Sequence, residues 1–205
     1  MMESPSHIAI VVLAAGASKR MGSPKQLLKW GDGTLIGNAI ETVSKLASNE
    51  LIVVLGAHYE LIKNVIQTSP VTILNNENWE KGLGSTIAFA VEYLQNSKSN
   101  VDGVLITLCD QPLITADFLN LFISKFQSGK NQILATSYGN GKQGVPVLFD
   151  KVYFNDLEKL NSDEGAKEIL KKYSSHMEAL TPPMDNKDLD TSEEYTALYQ
   201  SHFKT

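Results

Sequence analysis

Unbroken apolar runs limit what this chain can fold into more than any other feature. IAIVVL (8–13), LIVVL (51–55), VTIL (71–74), VLITL (104–108) and ILAT (133–136) show no alternation of polar and apolar residues. A strand with one solvated face alternates, and a strand covered on both faces does not. Segments of helical periodicity separate the runs, at about 35–47, 58–67, 84–95 and 115–128. This pattern predicts a three-layer α/β/α, Rossmann-like fold around a mostly parallel central sheet. PVLF (146–149) reads as a further strand opened by its proline. Helices over 151–160 and 164–173, a strand near 177–180 and a closing helix over about 192–200 complete the expectation. No repeat or low-complexity tract divides the 205 residues, so a single domain over 1–205 is expected. Residues 96–100 read as a surface loop and 181–188 as a short connection.

The formal net charge is −5, which argues against a protein that holds a nucleic acid by neutralising phosphates. Cys109 is the single cysteine, which excludes an intramolecular disulfide and a cysteine metal cluster. The four histidines, His7, His58, His176 and His202, have no metal-ligand spacing. No apolar run has the length of a membrane span. The first apolar run is short for a secretory leader, and MMESPSH before it carries Glu3 but no Lys or Arg. The expected location is the cytoplasm, with neither nucleic acid nor membrane as a partner.

The loop after the first run, LAAGASKRMGSPKQLL (13–28), stands out. In an open α/β sheet, ligands bind beyond the carboxyl ends of the strands, where this loop belongs. Gly16 and Gly22 let backbone N–H groups converge on an anion, Arg20 adds a fork of donors and Lys25 a mobile charge. Such a loop suits a triphosphate; Lys19 reads as solvated. The P-loop pattern fails because Met21 stands where it requires its second glycine, and Ser18 breaks a dinucleotide fingerprint. A literal G-x-G-x-x-G at Gly139–Gly144 leads into a strand, where the fingerprint needs a helix. A glycine-rich turn with solvated lysines is the plain structural alternative for the loop.

LAAGASKRMGSPK (13–25) resembles the opening signature of the MobA-like nucleotidyltransferases, which include enzymes that attach CMP or GMP to molybdopterin. LCDQP (108–112), NENWEKGLGSTI (76–87), GVPVLF (144–149), SDEGAK (162–167) and DLDTSEEY (188–195) are similar to further family segments, in the same order. The whole pattern looks closest to the molybdenum cofactor cytidylyltransferase branch. Val145, Ser162, Lys167 and Ser192 depart from its usual residues.

The resemblance implies an Mg²⁺-dependent transfer of a nucleoside monophosphate, CMP from CTP being favoured, onto the phosphate of molybdopterin. Pyrophosphate leaves, and a molybdenum hydroxylase could receive the product. Arg20, Lys25 and Asp110 would be catalytic. Leu13, Ala14, Ala15, Gly16, Gly22, Lys25, Asn76, Gly82 and Ser85 would bind the nucleotide. Asp110 and Asp190 would hold the metal, with Asp188 competing for the second place; two residues apart on extended chain, only one of the pair should reach it. Each has a structural alternative. Asp110 could cap the turn before Pro112, Asp190 could cap the last helix, and Trp79 reads as packing before stacking. Cys109 reads as packing and not as a nucleophile. Two other readings stay open: a cytidylyltransferase for a sugar or isoprenoid phosphate, which PKQLL (24–28) also resembles, and a cofactor-binding maturation factor without transfer activity.

Overall fold

The computed structural model describes residues 6–97, 99–184 and 187–203. Met1–Pro5, Lys98 and positions 185–186 and 204–205 lie outside them, and with them parts of the connections expected at 96–100 and 181–188. In chain order the strands are β1 (Ile8–Leu13), β2 (Lys29–Trp30), β3 (Gly33–Thr34), β4 (Glu50–Leu55), β5 (Thr72–Asn75), β6 (Gly103–Leu108), β7 (Ile133–Ser137), β8 (Gln143–Asp150) and β9 (Met177–Leu180). The helices are α1 (Leu35–Ser44), α2 (Tyr59–Ile66), α3 (Leu83–Asn96), α4 (Ala116–Lys125), α5 (Phe154–Leu157), α6 (Lys167–Lys172) and α7 (Ser192–Phe203).

Seven strands form one sheet in the order β5-β4-β1-β6-β8-β7-β9. Every neighbouring pair is parallel except the two made by β8. Each face of β1 packs under its own helical layer. Ala9, Val11 and Leu13 meet the layer of α3, α5 and α6, whereas Ile8, Ile10 and Val12 meet that of α1, α2 and α4. That double covering is why the run is apolar at every position. The fold is the three-layer, mostly parallel α/β/α architecture that the apolar runs predict.

Three local expectations change. β8 begins at Gln143, not at Pro146. Its pairing with β7 jumps from Ala135↔Val147 to Thr136↔Gly144, and Pro146, which has no N–H to give a ladder, falls in the gap. The helices expected over 151–160 and 164–173 shrink to a 3-10 turn with α5, and to α6. The hairpin of β2 and β3 has no apolar run to announce it. Gly31 sits in its turn at φ +59°, a left-handed conformation that suits glycine.

The hairpin carries the C-terminus. Trp30 stacks on His202 and meets Tyr199 and Phe203 edge-on. Trp30, Leu35 and Leu189 form a small separate core beside these rings. Helix α7 starts with a capping box: Glu194 N–H donates to Thr191 Oγ1, and Glu194 Oε2 accepts from the N–H of Asp190 and Thr191. Thr191, not Asp190, is therefore the cap. No helix among the described residues is long and apolar enough to cross a membrane.

Candidate active site

β1 and β6 run parallel in register, Leu13 opposite Leu108. The glycine-rich loop and the Cys109-Asp110 turn therefore leave the sheet side by side. Two bonds pin the loop's root: Ala14 N–H donates to Val54 O, and Ala57 N–H donates to Ala15 O. Farther along, Ser18 (φ +53°) and Gly22 (φ +68°) bracket a 3-10 turn at Lys19–Met21. Ser18 Oγ accepts the N–H of Lys25, which folds the loop back toward its root.

Lys25 is the centre of the polar constellation. Its Nζ pairs with Asp110 Oδ2, reaches Asp190 Oδ1 at 3.3 Å and donates to Leu189 O at 3.1 Å. Arg20 Nη2 takes the other oxygen of Asp190 at 3.0 Å. Leu189 N–H donates to Asp110 O, so one C-terminal residue bonds to both sides of the site. Asp188 accepts from the buried Gln111 amide at 2.7 Å. The C-terminal strap thus presents both aspartates to the cavity wall. The tether at Leu189 turns the chain between them.

Burial pushes the Asp110 carboxyl up, and the neighbouring charge of Asp188 adds to this against the pull of Lys25. Burial works to lower the Lys25 ammonium, but the charge and hydrogen bonding of Asp110, with Cys109 and Asp190, leave it raised. Lys25 is thus a firm cation at neutral pH. The Cys109 thiol is buried and pushed far up by desolvation, which keeps it from acting as a nucleophile.

A cavity of about 740 Å³ opens over this edge. Its wall carries Lys19, Arg20 and Lys25 against Glu80, Asp110, Asp163, Asp188 and Asp190, an excess of carboxylates. Of the expected residues, Leu13, Ala14, Ala15, Gly16, Gly82, Arg20, Lys25, Asp110 and Asp190 line it. Gly22, Asn76 and Ser85 do not. Gly22 ends the 3-10 turn on the loop's outer part. Asn76 is buried, bonded to Thr86 Oγ1 and to the N–H of Asn78. The Ser85 hydroxyl lies at 2.8 Å from Gly82 O and 3.1 Å from Asn78 O, either of which can accept its one proton. These two side chains shape the turn over 76–85 and do not line the cavity. Trp79 both lines the cavity and packs on Gly56, where an added Cβ would meet its Cβ at 2.5 Å. The polar lining residues that sequence reasoning left without a role include Gln26, Glu80, Thr86 and Asp163. Glu80, Thr86 and Asp163 lie inside segments quoted for the family resemblance and Gln26 directly follows one, each next to a residue that drew attention.

No three His, Cys, Asp or Glu side chains among the described residues form a ready-made metal cage. Asp110 Oδ1 is nonetheless buried without a hydrogen-bond partner, and a buried carboxylate oxygen in that state is short of a cation or donor. Magnesium suits such a site, since it takes one or two carboxylates and fills its other positions with phosphates and water.

The MobA-like NTP transferase domain matches residues 10–177. Nicotine blue oxidoreductase of Paenarthrobacter nicotinovorans is 30% identical over 145 residues, 68% of this chain and 69% of that protein. The molybdenum cofactor cytidylyltransferase of Escherichia coli K12 is 29% identical over 146 residues, 71% of each. The crystal structure of Rv0371c from Mycobacterium tuberculosis H37Rv in complex with manganese has the same fold. It superposes with a TM-score of 0.76 at 23% identity, over 96% of this chain and 100% of that one.

Proposed function

Because the chain belongs to the MobA-like NTP transferase family and is a nucleotidyltransferase of that kind, we propose that it moves CMP from CTP onto the phosphate of molybdopterin. The observation that carries this reading is the convergence of Arg20, Lys25 and Asp110 on one cavity, with a buried carboxylate oxygen left unpaired.

The charge balance supports a metal. A triphosphate brings several negative charges to a wall that already has more carboxylates than cations, and a divalent cation removes the conflict. Asp110 and Asp190 would hold Mg²⁺; manganese in the complex of the structural relative fits the same chemistry. Bound there, the ion supplies positive charge against the phosphates.

The protein's own part is positioning and charge. Lys25 would face the α-phosphate, where negative charge grows as an acceptor phosphate oxygen attacks. Arg20 would hold the β- and γ-phosphates. The new bond joins that oxygen to the α-phosphorus, the α–β bridging bond breaks, and its electron pair leaves on pyrophosphate. Main-chain groups of Leu13–Gly16 and Gly82 would take the nucleotide. CTP and molybdopterin are preferred because the signature order resembles the cytidylyltransferase branch, and the Escherichia coli relative carries that activity by name. This reading includes one domain over the whole chain, a cytoplasmic reaction and delivery to a molybdenum hydroxylase.

The test is pyrophosphate release by the purified protein with Mg²⁺ and CTP, GTP, ATP or UTP, each with and without molybdenum-loaded molybdopterin. Release confined to CTP with the pterin is expected, and Asp110→Ala should abolish it. Release with another phosphorylated acceptor would move the acceptor and keep the chemistry. Nucleotide binding with no release would favour the second reading, a cofactor-binding maturation protein. A relative of the same similarity is named as an oxidoreductase and not as a transferase, so the family resemblance alone does not exclude that reading.

A further inference from the structure

We propose that Gln26 is the positioning residue of the phosphate loop: its buried side-chain amide turns the loop's carbonyls inward, leaving its N–H groups to hold the triphosphate. The inference rests on the nucleotidyl-transfer reading above and deepens it.

Gln26 is completely buried, although it follows Lys25 on a short polar turn. Its Nε2 donates to Ala14 O at 2.9 Å and Gly16 O at 2.8 Å. Its Oε1 accepts from Ser18 Oγ at 3.4 Å, and Ser18 Oγ in turn accepts the N–H of Lys25 at 3.0 Å. One amide therefore ties three points of the loop to the residue that carries the catalytic cation. The carbonyl between them, Ala15 O, is taken by Ala57 N–H. Three successive carbonyls are thus satisfied from the protein side. The N–H groups of Ala15, Gly16 and Ala17 make no hydrogen bond among the described residues, and all three residues line the cavity. Successive unpaired N–H groups on one side of a loop form an anion site.

The chemistry requires an amide. Two carbonyls need two donors on one atom, which Gln supplies and Glu cannot. A carboxylate of the same shape would set an oxygen against both. The reach is also specific, since Asn at this position is one methylene too short to span from the turn to the loop's root.

The test uses full-length protein, with Gln26→Met, which keeps volume and removes the donors, and Gln26→Glu, which keeps shape and reverses polarity. Kinetics with CTP, Mg²⁺ and molybdenum-loaded molybdopterin are taken at a temperature where circular dichroism shows each variant fully folded. Both variants should lose about 100-fold in kcat, the scale of a small misplacement of reacting groups, with the acceptor KM unchanged. CTP affinity should fall at least tenfold by calorimetry. A glutamine that merely stabilised the fold would leave kcat per folded molecule intact, and that result overturns the proposal. Should neither variant fold, Ser18→Ala removes only the relay hydroxyl. A tenfold loss of CTP affinity there upholds the proposal, and unchanged affinity overturns it. Wild-type protein that binds no CTP sinks the nucleotide reading and this inference together. Active wild type with equally active Gln26 variants sinks this inference alone.

Discussion

Lys25 and Asp110 form a buried ion pair that joins the loop after β1 to the turn after β6. Both side chains are about seven-eighths shielded from solvent, so neither charge is well served by water. Removing one leaves the other buried and exposed to the full cost of desolvation. Lys25→Met should destabilise the fold by about 3 kcal/mol and abolish transfer. Adding Asp110→Asn should recover stability but not activity. Denaturant titrations of the single and double variants give the coupling directly, and additive losses would mean the pair is not a unit.

The same pair sets a pH response. Lys25 has a folded-state pKa above 10.5, so it contributes stability that is fully present below pH 10.5 and lost as pH rises through the raised value. Asp110 is also raised, above 3.8; its proton is held more tightly in the folded state, and stability drops as pH climbs out of the acid range. Unfolding free energies should therefore differ between wild type and Lys25→Met by a constant amount from neutral pH to about 10, then converge at higher pH. A gap that persists unchanged to pH 12 would contradict the assignment.

Asp190 lies between Arg20 and Lys25, bonded to them through different oxygens. In that position it competes with a phosphate until a metal engages it. Asp190→Asn should tighten CTP binding without metal by up to about fivefold, the worth of an exposed pair. The same variant should need more Mg²⁺ for half-maximal turnover. Calorimetry with and without EDTA reads both effects.

Gly82 leaves no room for a side chain. Its φ is +97°, and an added Cβ would come within 2.7 Å of the Asp163 backbone nitrogen. Gly82→Ala should cost about 1–3 kcal/mol through this crowding. It should also raise the KM for CTP, because the turn over 76–85 and the Asp163 segment must separate. A melting temperature equal to wild type would mean the two segments do not touch in solution.

Leu189 ties the strap down with a buried side chain and with hydrogen bonds to Asp110 and Lys25. Leu189→Ala should cost about 2–3 kcal/mol and loosen Asp188 and Asp190 from the cavity. Metal affinity should fall with no change in any carboxylate. Unchanged Mg²⁺ dependence would show that the aspartates are positioned by α7 alone.

Much of this was legible in one dimension. The apolar runs announced strands covered on both faces, and each face of β1 meets its own helical layer. The glycines and cations of 13–25 singled out this loop, and Arg20 and Lys25 line the cavity. Hydrophobic patterning and local chain chemistry are encoded residue by residue, which is why they can be read directly. Pro146 misled because a proline without an N–H fits a strand start and a register gap equally well. The β2–β3 hairpin escaped because its stability comes from Trp30 meeting α7, a contact across the length of the chain.

The sequence by itself determined the layered fold and the loop that carries the cations. Tertiary structure alone decided which carboxylates reach them. Asp188 and Asp190 lie more than 160 residues from Lys25, and only the docking of α7 on the hairpin, with Leu189 bonded to both sides of the site, brings them there. It also turned Asn76 and Ser85 inward and made Gln26 the clamp of the loop. A side chain's partners are set by which distant segments pack beside it, and no local pattern records that.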